Sequence, residues 1–274
     1  MCTVIVGYKL FPRHPLVIAA NRDELLDRAS EPPGAGSLGG LRTIAPRDLQ
    51  RGGTWIGVNE RGVFAAVTNR HDVASVRGQK SRGELVNRVL EMGEDGLVAA
   101  LYAARKDDAR DYNGYHLIVG DAEHLWVLAG DGKEGPERPR ALKIEEPGLV
   151  IVSNLGIGPA HAPRAEEVER VWIGRRLART RPHRATWDAL LTIHDPRPDG
   201  SEMKRMASTC IHRPAADNYG TKSSAFILLD AAWGNYGPEW RWWHRERPDG
   251  GTHNCAGRWR PELKLPIVPS GRDG

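Results

Sequence analysis

Cysteine is scarce in this chain: three residues in 274, at Cys2, Cys210 and Cys255. An odd count with no framework spacing gives no disulfide scaffold and fits a reducing compartment. Long apolar runs are also missing. None approaches the roughly 20 residues that a membrane-spanning helix needs, so stable membrane insertion is not expected. No basic segment followed by an apolar one opens the chain, so no secretory signal is read and the cytoplasm is the default location. A basic stripe is lacking too. The net charge is +4, but arginine alternates with acid, as in Asp107-Asp108-Ala109-Arg110-Asp111. That interleaving argues against a nucleic-acid partner.

What is present concentrates at the N-terminus. Residues 2–8 and 16–20 are short, β-branched and almost continuously apolar, as in strands covered on both faces. A Pro-containing reversal separates them, and Asn21-Arg22-Asp23-Glu24 follows. If the reversal centres on Pro12-Arg13, antiparallel partners sum to about 25, which sets Cys2 opposite Asp23 within a residue or two. Cys2 is small enough for Met1 to be removed. It would then carry a thiol and a free α-amine of unperturbed pKa roughly 7.7–8.0, able to take a proton from a nucleophile near neutral pH. Arg22 beside the thiol is expected to favour the thiolate. Asp23 or Glu24 would orient the amine. A structural ion-pair cluster pinning a strand end is the plain alternative.

Met-Cys-Thr at the start together with Asn21-Arg22-Asp23-Glu24 resembles the NRDE family, the relatives of transport and Golgi organisation protein 2. The similarity is strongest over 1–24, 52–69, 149–154 and 219–230. More distantly, the chain resembles N-terminal-nucleophile hydrolases of the penicillin V acylase and bile-salt hydrolase type. The second resemblance implies an oxyanion hole from two Asn at strand ends. Two strands here end in a hydroxyl residue followed by Asn, Thr68-Asn69 and Ser153-Asn154, and Asn amides donate well to an oxyanion. An Asn after a strand is also a common turn former. The acylases carry a further Arg late in the chain, for which Arg213 and Lys222 are the candidates. With Trp55, these are the expected substrate-binding residues.

Further along, Pro32-Pro33 and four glycines make 31–48 an irregular loop, a candidate substrate lid. Its G-x-G-x-x-G string follows no strand and opens no helix, so a dinucleotide site is rejected. A hairpin is expected over 54–58 and 63–69, with Asn69 level with Gly52-Gly53, where paired glycines would admit another backbone. Ser81 and Glu84 form a capping box ahead of a helix to about Met92. A second helix is expected over 95–105, then strands over 115–120, 124–129, 141–145 and 149–153. Two more helices open near Pro163 and Thr186, the first with Val168, Val171, Trp172 and Leu177 on its apolar stripe. Strands are expected again over 207–212, 224–230 and 239–246, and an irregular tail from Asp249.

This order does not alternate as a parallel βαβ chain would. It suits an α+β fold, a four-layer αββα sandwich of two mainly antiparallel sheets in one domain, the arrangement the acylase resemblance also implies. Cys210-Ile-His212 and His253-Asn-Cys255 offer either four zinc ligands or buried free thiols, and the spacing favours the thiols. Neither metal nor cofactor is expected. The leading function is therefore cysteine-dependent hydrolysis of a non-peptide amide or ester. The alternative is a carrier for a hydrophobic ligand such as haem or lipid, with Trp233, Trp240, Trp242, Trp243 and Trp259 offering an aromatic wall or, more simply, core packing.

Overall fold

The computed structural model describes residues 2–76, 79–92, 101, 106, 108–174, 182–194, 207–213, 218–231, 237–247 and 257–268. These form two antiparallel sheets with helices, an α+β architecture. The first sheet holds β1 (Cys2–Phe11), β2 (His14–Leu25), β10 (Gly148–Ser153), β11 (Gly156–Ile157), β12 (His212–Arg213), β13 (Tyr219–Asp230), β14 (Glu239–Glu246) and β15 (Leu263–Pro266). Its order is β11-β10-β1-β2-β13-β14-β15, with β12 also on β13. The second runs in sequence order through β3 (Ser30–Leu38), β4 (Leu41–Asp48), β5 (Ile56–Asn59), β6 (Phe64–Asn69), β7 (Tyr115–Gly120), β8 (Leu125–Gly130) and β9 (Arg140–Ile144).

The chain divides into two compact units. Met1–Arg28, Gly148–Leu228 and Trp242–Glu262 make one; Ala29–Pro147, Leu229–Arg241 and Leu263–Gly274 make the other. In the first, α2 (Pro163–Gly174) and α3 (Arg184–Leu191) cover one sheet face. Side chains alternate across a strand, so Ile5, Val17, Ala19, Ile151 and Phe226 form a stripe under the helices, packed with Val168, Trp187 and Leu190. Trp187 is fully buried and its ring meets Phe11, Trp172 and Phe226. In the second unit, α1 (Gly83–Glu91) buries Leu85, Val86, Val89 and Leu90 against Ala65, Val67, Leu117 and Val119. The predicted apolar stripe of this helix is the one found.

Several local expectations need correction. The supposed loop 31–48 is a hairpin, β3 and β4, joined by Gly39-Gly40 with φ +57° and +84°. Two consecutive residues at positive φ match the tight turn that suits strand twist. Pro32-Pro33 fall where the register shifts between Glu31 and Gly34, on an edge strand that tolerates missing donors. The capping box is not used: α1 opens after Arg82, which makes no side-chain cap bond. The expected strand over 207–212 reduces to His212–Arg213, and the tail contributes β15. Leu177, Trp233, His253, Cys255 and most of 95–105 lie outside the described residues. Gly53 does admit a backbone, that of Gly83: a Cβ at Gly53 would stand 2.8 Å from the Gly83 carbonyl carbon.

Candidate active site

The β1–β2 pairing sets Cys2 opposite Arg22 and Thr3 opposite Asn21, one residue from the expected register. On the other side of β1, Thr3 pairs with Ser153, which brings Asn154 to the level of Cys2. Beyond β2, Asp23 pairs with Thr221 and Arg22 with Ser223, the bulge falling at Lys222. Four neighbouring strands thus bring their polar ends to one edge of the sheet. Alternation puts Cys2 and Arg22 on the face away from the helices, and Thr3, Asn21 and Asp23 on the helix face.

On the helix face the apolar stripe turns polar, and the Asn21 and Asp23 side chains are each answered. Asn21 donates from its amide to the Leu191 carbonyl at 2.8 Å and the Thr209 carbonyl at 2.7 Å, and accepts from the Ser224 hydroxyl at 2.7 Å. It ties the end of α3 to β2. The buried Asp23 carboxylate accepts from the Thr221 hydroxyl at 2.6 Å and faces the Arg164 guanidinium at 3.4 Å. Arg164 also donates to the Thr3 hydroxyl at 2.8 Å, and Tyr219 donates to the Asp23 carbonyl at 2.9 Å. Glu24 turns outward, toward Arg28 at 3.6 Å and Arg22 at 3.9 Å. Of the two carboxylates, Asp23 is the one buried at this edge.

Arg164 was not foreseen, although the sequence carries a signal for it. It is the second residue of α2, where a cation opposes the helix dipole. A cation placed there, 1% exposed, answers to something other than the helix. Burial pulls its guanidinium down, and Asp23 and Cys2 push back.

Asn154 is 1% exposed, and neither its amide nitrogen nor its amide oxygen has a hydrogen-bond partner. Buried amides are normally paired. This donor stands unused at the level of the thiol. Cys2 itself departs from expectation. Burial pushes its thiol up; the N-terminal positive charge and the Asp23 backbone N–H pull it down, while the Asp23 and Glu24 charges raise it. Desolvation outweighs the N-terminal charge, so the thiol form is favoured.

The remaining candidates sit as follows. Lys222, in the bulge, donates to the Leu26 and Arg28 carbonyls at 2.9 and 2.6 Å. The Arg213 backbone pairs with Tyr219. Asn69 closes β6 opposite Tyr115 in the second unit, and Trp55 packs on the α1 core there. Cys210 is disulfide-bonded, not the free thiol expected, and Cys2 is the free cysteine among the described residues.

Solved structures share this α+β fold. A Caenorhabditis elegans orthologue of N-acylethanolamine-hydrolyzing acid amidase superposes with a TM-score of 0.55 at 11% identity, covering 83% of this chain and 92% of that one. A variant of conjugated bile acid hydrolase from Clostridium perfringens also gives 0.55, at 9% identity over 100% of both chains. The expected sandwich is therefore the fold found. The family model described as Transport and Golgi organisation 2 matches residues 1–236, and the chain belongs to that family. The Bos taurus homologue of Transport and Golgi organization protein 2 is 30% identical over 262 residues, covering 84% of this chain and 89% of the relative. The Homo sapiens homologue is 26% identical over 266 residues with the same coverage. Among the described residues, no helix is long and apolar enough to cross a membrane.

Proposed function

We propose that the chain, once Met1 is removed, is a cysteine hydrolase acting on a small-molecule amide or ester. The observation that carries this reading is the unused, buried Asn154 amide at the level of Cys2. The Cys2 thiol gives its proton to its own α-amine, and sulfur attacks the substrate carbonyl carbon. The carbonyl π pair moves to oxygen, where the Asn154 amide stabilises the charge. Collapse breaks the C–N or C–O bond, and the departing amine or alkoxide takes the proton from the ammonium. Water, deprotonated by the same amine, then releases the acyl group from the thioester. Asp23, fixed by Arg164 and Thr221, orients the amine, and Arg22 supplies positive charge beside the sulfur. Glu24 and Lys222 act as supports of this edge, Glu24 through Arg22 and Arg28, and Lys222 through the Leu26 and Arg28 carbonyls.

In chains that keep Met1 the Cys2 nitrogen is a peptide nitrogen and cannot take the thiol proton, which leaves the second reading, a carrier of a hydrophobic ligand such as haem or lipid. One experiment separates the two. Intact mass fixes the N-terminus, and a panel of N-acyl amides and esters is assayed with the parent and Cys2→Ala. Turnover confined to the Cys2-first form supports hydrolysis. Absence of turnover in that form, with ligand retention undiminished in Cys2→Ala, would favour the carrier.

A further inference from the structure

Arg247 follows β14 directly and is 3% exposed. Its backbone N–H donates to the Lys222 carbonyl at 2.7 Å, which fixes the side chain beside β13. One guanidinium nitrogen, Nη1, lies 3.2 Å from the Cys210 sulfur; Nε and Nη2 have no hydrogen-bond partner. A disulfide sulfur is neutral and a weak acceptor, so it offers this cation no counter-charge. Nearby carboxylates are already engaged. Asp188 holds Arg245 through both oxygens, at 2.6 and 3.3 Å, and Asp23 holds Thr221 and Arg164. Burial pulls Arg247 down to about 9, with Arg245 adding to that and Asp23 and Asp188 opposing it.

Two imidazoles stand at the same place. His212 Nε2 lies 3.4 Å from the Cys210 sulfur, and the His194 ring stacks on His212 at 4.9 Å between centroids. His194 reaches solvent, so the row runs from the surface inward to Arg247. The ligand atoms of His194, Cys210 and His212 all fall within 4.8 Å of one another, a grouping that also suits a metal ion. Two facts oppose the metal. A sulfur held in a disulfide is not a thiolate ligand. A guanidinium at 3.2 Å adds positive charge where a metal ion would need negative. The field lowers the His194 pKa after burial does, through His212 and Arg247.

We propose that Arg247, with His194 and His212 beside it, forms a binding site for an oxyanion group, a phosphate or carboxylate carried by a ligand. An oxyanion accepts from the two unused guanidinium N–H groups in the forked geometry that arginine provides. It supplies the missing negative charge and accepts from the imidazoles as well. The proposal stands whether or not Cys2 is a nucleophile.

The full-length oxidised protein is titrated with sodium phosphate and, separately, sodium acetate, with sodium chloride at matched ionic strength as the control. Thermal stability and histidine imidazole NMR shifts are followed together. Phosphate or acetate is expected to raise Tm saturably where chloride does not, and to move the His194 and His212 resonances. A response to phosphate alone assigns a phosphoryl ligand, and one to acetate alone a carboxylate. Arg247→Gln should weaken binding by about tenfold or more, the loss of a charge-assisted bidentate contact. Cys2→Ala should bind as the parent does, which keeps this result separate from the hydrolytic one. If Arg247→Gln does not fold, His212→Asn and the parent's histidine shifts carry the test. Neither anion binding, Arg247→Gln binding undiminished, or zinc uptake by the oxidised protein with the same histidine shifts would each overturn the site.

Discussion

Cys2 and Asp23 stand at one sheet edge on opposite faces, so the thiol and the buried carboxylate communicate through backbone and amine, not through a direct contact of the Ser-His-Asp kind. The thiol's state therefore depends on where the N-terminal amine is. In the chain that keeps Met1, alkylation by iodoacetamide should follow a pKa above the ordinary 9.0. Removal of Met1 brings a positive charge onto residue 2 itself and should move the profile to lower pH, read as labelling rate against pH for the two forms. Arg164 is the second residue-scale test. Arg164→Met leaves the Asp23 carboxylate buried without its cation, and should cost about 3–5 kcal/mol in urea unfolding, the usual loss when one partner of a buried pair is removed. Asn21→Ala strips two carbonyls of their donor and should cost about 2–4 kcal/mol in the same measurement. The Cys2-to-β2 register, Arg22 and Asp23 were legible because an apolar strand pair with a short reversal leaves little freedom. Arg164, Thr221 and Arg247 were not, because nothing local says that residues more than a hundred positions apart share a sheet edge.

Elements were read best where their buried face was continuous. The strands β7, β8 and β10 and the stripe of α1 lie within a residue of expectation because period and burial agree. β3 was missed for the opposite reason. Ser30, Pro33 and Gly36 present no apolar alternation, and the strand is mostly exposed, held by pairing to β4 and by its turn. The Leu38-Gly39-Gly40-Leu41 text was the available signal. Both glycines adopt positive φ, but their surroundings differ. A Cβ at Gly39 would stand 2.8 Å from the Glu91 carbonyl oxygen, whereas nothing lies within 4 Å of one at Gly40. Gly39→Ala should thus lose more stability than Gly40→Ala, the latter costing only the strain of about 1 kcal/mol for a non-glycine residue in that region, as thermal denaturation would rank them.

At the scale of the molecule, stability should depend on acid through His244. This residue of β14 is 6% exposed, and burial, with Arg260 adding to it, lowers its pKa from 6.5 to about 4. The unfolded chain then binds a proton between about 6.5 and 4 that the folded chain refuses, so folded stability falls as pH drops through that window. Full protonation of the unfolded state gives a loss of up to about 3 kcal/mol. His244→Phe should flatten the stability profile between those values in equilibrium unfolding at stepped pH. The sandwich class was legible from element order; the division of β9 and β10 between two sheets was not, since both read as strands in one succession.

β1 is an inner strand, flanked by β10 and β2, and it begins at Cys2. A purification handle fused ahead of this residue would have to leave from the polar sheet edge itself, beside Arg22 and Asn154, and would crowd that edge. Handles belong at the other end of the gene, or behind a protease that leaves cysteine first. An N-terminally tagged product lacks the free α-amine that the proposed hydrolysis uses, so a screen should be run on the form that begins at Cys2.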